Sequence, residues 1–332
     1  MRIAKDTVEK PLKGSRRERV LKRVSVLPSL ATLGNLVCGL GAIYMCMLSM
    51  HAGGADLNQM TLNSTKMESL FPTYLAIAAY LLVGAMFFDG LDGRLARLTR
   101  KTSEFGGQLD SLADIVSFGI APVVLVLCVA HPSDVHALSA VGRIYWRTEW
   151  VMAASYACCA ALRLARFNVE NVADESAHMG FRGLPSPGAA AAVVGLVIFH
   201  EELLREYPPS WASAIVSNIL PPFALILGLL MVSRVRYLHM VNALLRGRKP
   251  FQQVVTLALL LLVGLIVQPQ LTIALVAVAY AMSGPILTIR ERLVHIRGQA
   301  VADAGVDASG SPTGELPESP EDHRTDSARP AV

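Results

Sequence analysis

Residues 72–130 read PTYLAIAAYLLVGAMFFDGLDGRLARLTRKTSEFGGQLDSLADIVSFGIAPVVLVLCVA. Two apolar stretches, near 72–91 and 108–130, flank one basic loop carrying Arg94, Arg97, Arg100 and Lys101. Each is about as long as the roughly 20 helical residues that cross a hydrocarbon core. A chain in lipid must satisfy its own backbone hydrogen bonds, so helix is the expected form. Six further apolar stretches lie near 29–51, 150–168, 187–204, 212–233, 252–268 and 270–289. The QPQ at 268–270 marks a tight turn between the last two. The pattern predicts an all-α, polytopic integral membrane bundle of about eight transmembrane helices.

Composition agrees. The set AVILMFWYC supplies 53% of the 332 residues, and charged residues supply 17%. Soluble domains carry about 25% charged residues. Mean hydropathy is +0.45. These values exclude a disordered chain, a coiled coil and an ordinary cytosolic enzyme. Cys38, Cys46, Cys128, Cys158 and Cys159 all sit in apolar runs without CxxC spacing. They indicate neither a disulfide framework nor a zinc site, and read as small buried fillers. The polar N-terminus followed by a span-length run is not a cleavable signal peptide.

Charge is unevenly placed. The net +4 combines a segment at 298–332, with two basic and seven acidic residues, and a basic remainder. Arg163, Arg166 and Arg182 lie on or near the loop after the fourth stretch, and Arg234, Arg236, Arg246, Arg248 and Lys249 follow the sixth. Arg290, Arg292 and Arg297 follow the eighth, whereas 52–71 holds only Lys66. The excess of Lys and Arg on alternate loops places both termini in the cytoplasm. No aromatic-interleaved basic patch is present, so nucleic acid is not an expected partner. Four regions follow: a basic juxtamembrane segment (1–26), a transmembrane core (27–240), a C-terminal helix pair (241–297) and a disordered acidic tail (298–332). Within the first, RRERVLKRV reads either as an interfacial helix drawn to anionic lipid or as a plain topology signal.

Four aspartates carry the chemistry. Asp89 and Asp92 are three apart and Asp110 and Asp114 four apart, so each pair shares one helix face. Both pairs flank the same basic loop. Ionisable residues in membrane helices face a polar cavity or a partner. Hard divalent cations satisfy an all-oxygen set, and four carboxylates suit two of them about 3.5–4 Å apart. The competing reading is capping and salt bridging with Arg94, Arg97 and Arg100. Gly93, Ala96 and Gly106 leave small gaps beside the acids, either for a ligand or for close helix packing. Arg97 can hold a diphosphate with two parallel hydrogen bonds.

The order Asp89-x₂-Asp92-Gly93-x₂-Ala96-Arg97-x₈-Gly106-x₃-Asp110-x₃-Asp114 resembles the full signature of the CDP-alcohol phosphatidyltransferases, and every fixed position matches. The resemblance implies two Mg²⁺ or Mn²⁺ ions per active site, held by the four aspartates, with Asp114 as catalytic base. It also implies a CDP-linked lipid, its cytidine and diphosphate resting near Gly93, Ala96, Arg97 and Gly106. Upstream, LPSLATLGNLVCG at 27–39 is similar to the family's P-N-x-x-T-x-x-N entry. Pro28, Thr32 and Asn35 match, and Ser29 departs from Asn. Thr32 and Asn35 are candidates for the nucleotide site or for capping and interhelical hydrogen bonding.

SFGIAPVVL, ALRLARFN, FRGLPSPGAAA and LMVSRVRY are similar to the phosphatidylserine synthase branch of that family. This implies CDP-diacylglycerol and L-serine as substrates, surrounding phospholipid and a homodimer in the cytoplasmic membrane of a prokaryote, with the site at the cytoplasmic face. Serine binding would fall to Arg163, Arg166, Asn168 and Ser186. A zwitterionic amino acid needs a cation for its carboxylate, which Arg supplies as a fork. Topology and headgroup binding compete for Arg163 and Arg166, and helix initiation for Pro185 and Pro187. Rival readings are another acceptor such as glycerol 3-phosphate or inositol phosphate, a transporter with a cation site, and prenyl transfer. A transporter predicts mid-membrane carboxylates on broken helices, not a cluster at one boundary.

Overall fold

A computed structural model describes residues 16–51, 73–99, 104–130, 139–173, 183–204, 210–235, 237 and 251–309. Among them the regular structure is all helical: α1 (Arg16–His51), α2 (Tyr74–Thr99), α3 (Glu104–Asp114), α4 (Ala121–Ala130), α5 (Ala140–Ala173), α6 (Ser186–Ile198), α7 (Ser210–Val232), α8 (Phe251–Val267) and α9 (Pro269–Ser309). Two π-helical segments, Ile115–Ile120 and Phe199–Leu204, join α3 to α4 and extend α6. Every apolar stretch read from the sequence therefore falls on helix. Among the described residues, five helical runs are long and apolar enough to cross a membrane: Pro28–His51, Tyr74–Leu95, Phe105–Ala130, Trp211–Val232 and Pro269–Val294. Of the rest, α5 carries Arg163 and Arg166 inside its length, and α6 has 13 residues before its π segment. The fold is that of an all-α, multi-pass membrane protein.

Lipid offers helices no hydrophobic incentive to pair, so packing rests on close van der Waals contact between small residues. Ala76, Ala78, Ala79 and Ala85 of α2, and Ala189, Ala190 and Ala192 of α6, are buried. α1 lies along α2, α5 along α7, and α2 also meets α6. Gly228 lets α7 approach α5 closely, since a Cβ there would stand 3.0 Å from Tyr156 Cα. On the outer face of α1, Leu30, Val37 and Tyr44 recur every seven residues and are exposed. That stripe is the surface such a helix turns to acyl chains. All five cysteines are free; Cys46 is buried, whereas Cys158 is exposed rather than the buried filler expected.

The π segment after Asp114 bears on the site. Ala121 N–H donates to Val116 O, the wide i→i+5 pattern, and Tyr156 Oη donates to Phe118 O at 3.0 Å. Such segments often mark functional positions in helices. At the bundle's other end, Thr73 caps α2 by accepting from Ala76 N–H at 3.0 Å and donates to Glu201 Oε2 at 2.8 Å. Glu201 Oε1 lies 2.9 Å from His200 Nδ1, and His200 Nε2 lies 2.7 Å from Ser213 Oγ. This buried polar chain ties the start of α2 to the end of α6 and the start of α7.

By its internal contacts the chain divides into Met1–Ile286 and Leu287–Val332. The helix α9 continues to Ser309, so residues 298–309, expected to be disordered, have helical backbone. Ala300, Ala302, Ala304 and Ala308 explain this, alanine being the strongest helix former. The remainder of the acidic tail, the first 15 residues and Arg182 lie outside the described residues. RRERVLKRV has helical backbone as the first turns of α1.

Candidate active site

Three helices build the site. The carboxyl-terminal part of α2 carries Asp89 and Asp92, α3 carries Asp110 and Asp114, and α1 crosses both with Thr32 and Asn35. Gly39 makes the crossing close: a Cβ there would lie 2.9 Å from Ser117 Cα in the π segment. Ser117 Oγ donates to Asn35 O at 3.0 Å, locking α1 onto that segment.

One carboxylate oxygen each from Asp89, Asp110 and Asp114 lies within 4.8 Å of the other two. Asp92 is in electrostatic range of Asp89 and Asp110 but stands outside that trio, and its Oδ2 accepts from Thr32 Oγ1. Asn35 Nδ2 donates to Asp114 Oδ1 at 3.0 Å. Thr32 and Asn35 are almost wholly buried. Both hydroxyl and amide thus orient an acid through interhelical hydrogen bonds.

The donor set suits a hard divalent cation. It is all oxygen, drawn from two helices, and close enough for joint ligation. Asn35 Oδ1, on the amide that holds Asp114, is buried and lacks a hydrogen-bond partner among the described residues. Among the described residues, a Cβ on Gly93 would meet nothing within 4 Å. Ala96 and Arg97 lie on the helical backbone of α2, with side chains outside the described residues; Gly106 lies on α3, four residues before Asp110.

A second group stands beside Asp114. Gly183, at φ +86°, donates its N–H to Val235 O at 2.8 Å. Leu184 N–H donates to Leu230 O at 3.1 Å, so the loop is tied to the end of α7. A Cβ at 183 would strike Met231 O, which only glycine avoids. Pro185 is the N-cap of α6 and Pro187 lies in its first turn, the helix-initiating role. Ser186 is thereby buried and fixed, and Arg163 Nη1 donates to its Oγ at 2.9 Å. Arg163 is in electrostatic range of Asp114. Of the other acceptor candidates, Asn168 hydrogen-bonds Ser111, next to Asp110, at 3.0 Å, and Arg166 lies on the exposed face of α5.

The CDP-alcohol phosphatidyltransferase family model matches residues 25–230. The chain belongs to the CDP-alcohol phosphatidyltransferase family. Divalent metal use is general in this family. Relatives named CDP-diacylglycerol–serine O-phosphatidyltransferase include one from Helicobacter pylori, 35% identical over 161 residues, covering 48% of this chain and 60% of that protein. Another, from Methanocaldococcus jannaschii, is 36% identical over 157 residues, covering 47% and 61%. One from Saccharomyces cerevisiae is 34% identical over 160 residues, covering 42% and 52%. The chain thus spans about three fifths of the first two relatives' length. In this phosphatidyltransferase fold the sequence reading missed Ser111 and Ser117. Ser117 sits in SFGIAPVVL and Ser111 between two signature aspartates, but neither spacing discloses a partner 57 or 82 residues away.

Proposed function

We propose that the protein transfers the phosphatidyl group of CDP-diacylglycerol to the hydroxyl of L-serine, releasing CMP. The observation that carries this reading is the convergence of Asp89, Asp110 and Asp114, with the Arg163–Ser186 pair beside Asp114. The names of the relatives support serine as acceptor.

Asp89, Asp92, Asp110 and Asp114 would hold two Mg²⁺ or Mn²⁺ ions. Bound there, such ions neutralise a diphosphate and its phosphate-ester leaving group. The chain's own residues do the rest. Thr32 and Asn35 orient Asp92 and Asp114. Arg97 grips the diphosphate, and Gly93, Ala96 and Gly106 receive the nucleotide headgroup. Asp114 takes the proton from the serine hydroxyl, whose oxygen attacks the lipid-side phosphorus. The phosphorus–oxygen bond to CMP breaks as the new ester bond forms. A neutral hydroxyl is a weak nucleophile, and a positioned base contributes about 10²–10⁴-fold. Arg163, Arg166, Asn168 and Ser186 receive the acceptor.

The setting is the cytoplasmic membrane of a prokaryote. The site opens at the cytoplasmic face, with both termini on that side, eight spans, a homodimer and the basic 1–26 segment against anionic phospholipid. The test is CMP release by the purified protein with CDP-diacylglycerol and, in separate reactions, serine, glycerol 3-phosphate and inositol phosphate. Release with serine is expected. Release with a phosphorylated acceptor and none with serine moves the assignment to that acceptor.

A further inference from the structure

Tyr280 on α9 lies beyond the residues that the family model matches, 25–230, and in no motif read from the sequence. Packing nevertheless brings it to the site. A Cβ on Gly188 would stand 2.7 Å from Tyr280 Cε1, and one on Gly195 would stand 3.0 Å from Ala274 Cα. Further along, Gln270 Nε2 donates to Glu202 Oε2 at 2.8 Å. Numbers rise along α9 as they fall along α6, so the two run antiparallel and Tyr280 is held at the Ser186 end. Its ring centroid lies 6.1 Å from that of Tyr237, whose hydroxyl is already committed to Ala281 O at 2.8 Å.

Tyr280 is in electrostatic range of Arg163, as is Asp114. Arg163 spends Nη1 on Ser186, and its Nε is buried without a hydrogen-bond partner among the described residues. A buried guanidinium N–H left unsatisfied is costly, and its fork matches a carboxylate with two parallel bonds. The α-carboxylate of an amino acid supplies the missing acceptor, and the Tyr280 phenol, in electrostatic range of the fork, is a further donor.

Resting on the function proposed above, we propose that Tyr280 is a specificity-determining residue: its O–H joins the Nε edge of Arg163 in binding the carboxylate of the amino-acid acceptor. Tyr280→Phe keeps the ring on Gly188 and Tyr237 and removes only the donor. In the full-length protein, the KM for serine should rise about tenfold to a hundredfold, the loss of one hydrogen bond to a charged group. The inhibition constant of alanine, which keeps the carboxylate and lacks the reacting hydroxyl, should rise by the same factor. The KM for CDP-diacylglycerol and kcat should stay unchanged. An unchanged serine KM, or an equal rise in both KM values, overturns the role of Tyr280 and leaves the reaction standing. Absence of CMP release with serine from the unsubstituted protein overturns the reaction, and this inference with it.

Discussion

Asn35 of α1 donates a hydrogen bond to Asp114 of α3 across 79 positions of sequence, at 3.0 Å. Since a carboxylate only accepts, the bond also fixes which way the amide faces. The same amide's Oδ1 is left buried and, among the described residues, unpartnered. One side chain thus aims the proposed base and offers a spare oxygen beside it.

Asn35→Ala should therefore slow turnover by about tenfold to a hundredfold, the worth of one hydrogen bond to a charged group. Asn35→Asp should be worse, because it places a like charge against Asp114. CMP release under saturating substrates checks both, and wild-type rates in either variant would remove Asn35 from the account.

Asp114→Asn should abolish detectable turnover, consistent with a general-base contribution of about 10²–10⁴-fold. The oxygen of an asparagine there can still accept from Asn35 Nδ2, so folding should persist. Binding of CDP-diacylglycerol, followed by filter retention or calorimetry, should survive in good part. Normal turnover would sink the base assignment.

Gly93 and Gly39 separate ligand room from helix packing. Gly39→Ala places a Cβ 2.9 Å from Ser117 Cα and should destabilise the bundle by about 1–3 kcal/mol, seen as a lower unfolding midpoint in detergent. Gly93→Ala meets nothing within 4 Å and should unfold normally while raising the KM for the CDP-lipid. The reverse pattern would show that Gly93 serves packing.

The helices and the acidic signature were legible because both are local. A span-length apolar run can only be helix in lipid, and the two aspartate pairs share helix faces by spacing alone. Partnership across helices was not legible. Nothing in LPSLATLGNLVCG tells that Thr32 meets Asp92 and Asn35 meets Asp114. The π segments at Ile115–Ile120 and Phe199–Leu204 have no sequence signal of their own. Tyr280 reaches the Arg163 region only because Gly188 and Gly195 admit α9. The helical backbone of 298–309 was not legible because its alanines share the segment with acids, Ser and Gly.

The polar chain Thr73–Glu201–His200–Ser213 reads as a structural clasp at the bundle's other end. His200→Ala leaves Ser213 and one Glu201 oxygen without this partner. It should lower stability by about 1–3 kcal/mol. Substrate KM values should not move, and a selective change in either KM would give this cluster a part in the reaction.

The central claim is that carboxylates of α2 and α3 share divalent ions that hold the diphosphate. It is tested most directly by CMP release from the purified protein with CDP-diacylglycerol and labelled serine, after exhaustive EDTA treatment and again after adding Mg²⁺ or Mn²⁺. No turnover is expected in the chelated sample, with recovery on adding either ion. Full turnover in the metal-free sample would contradict it.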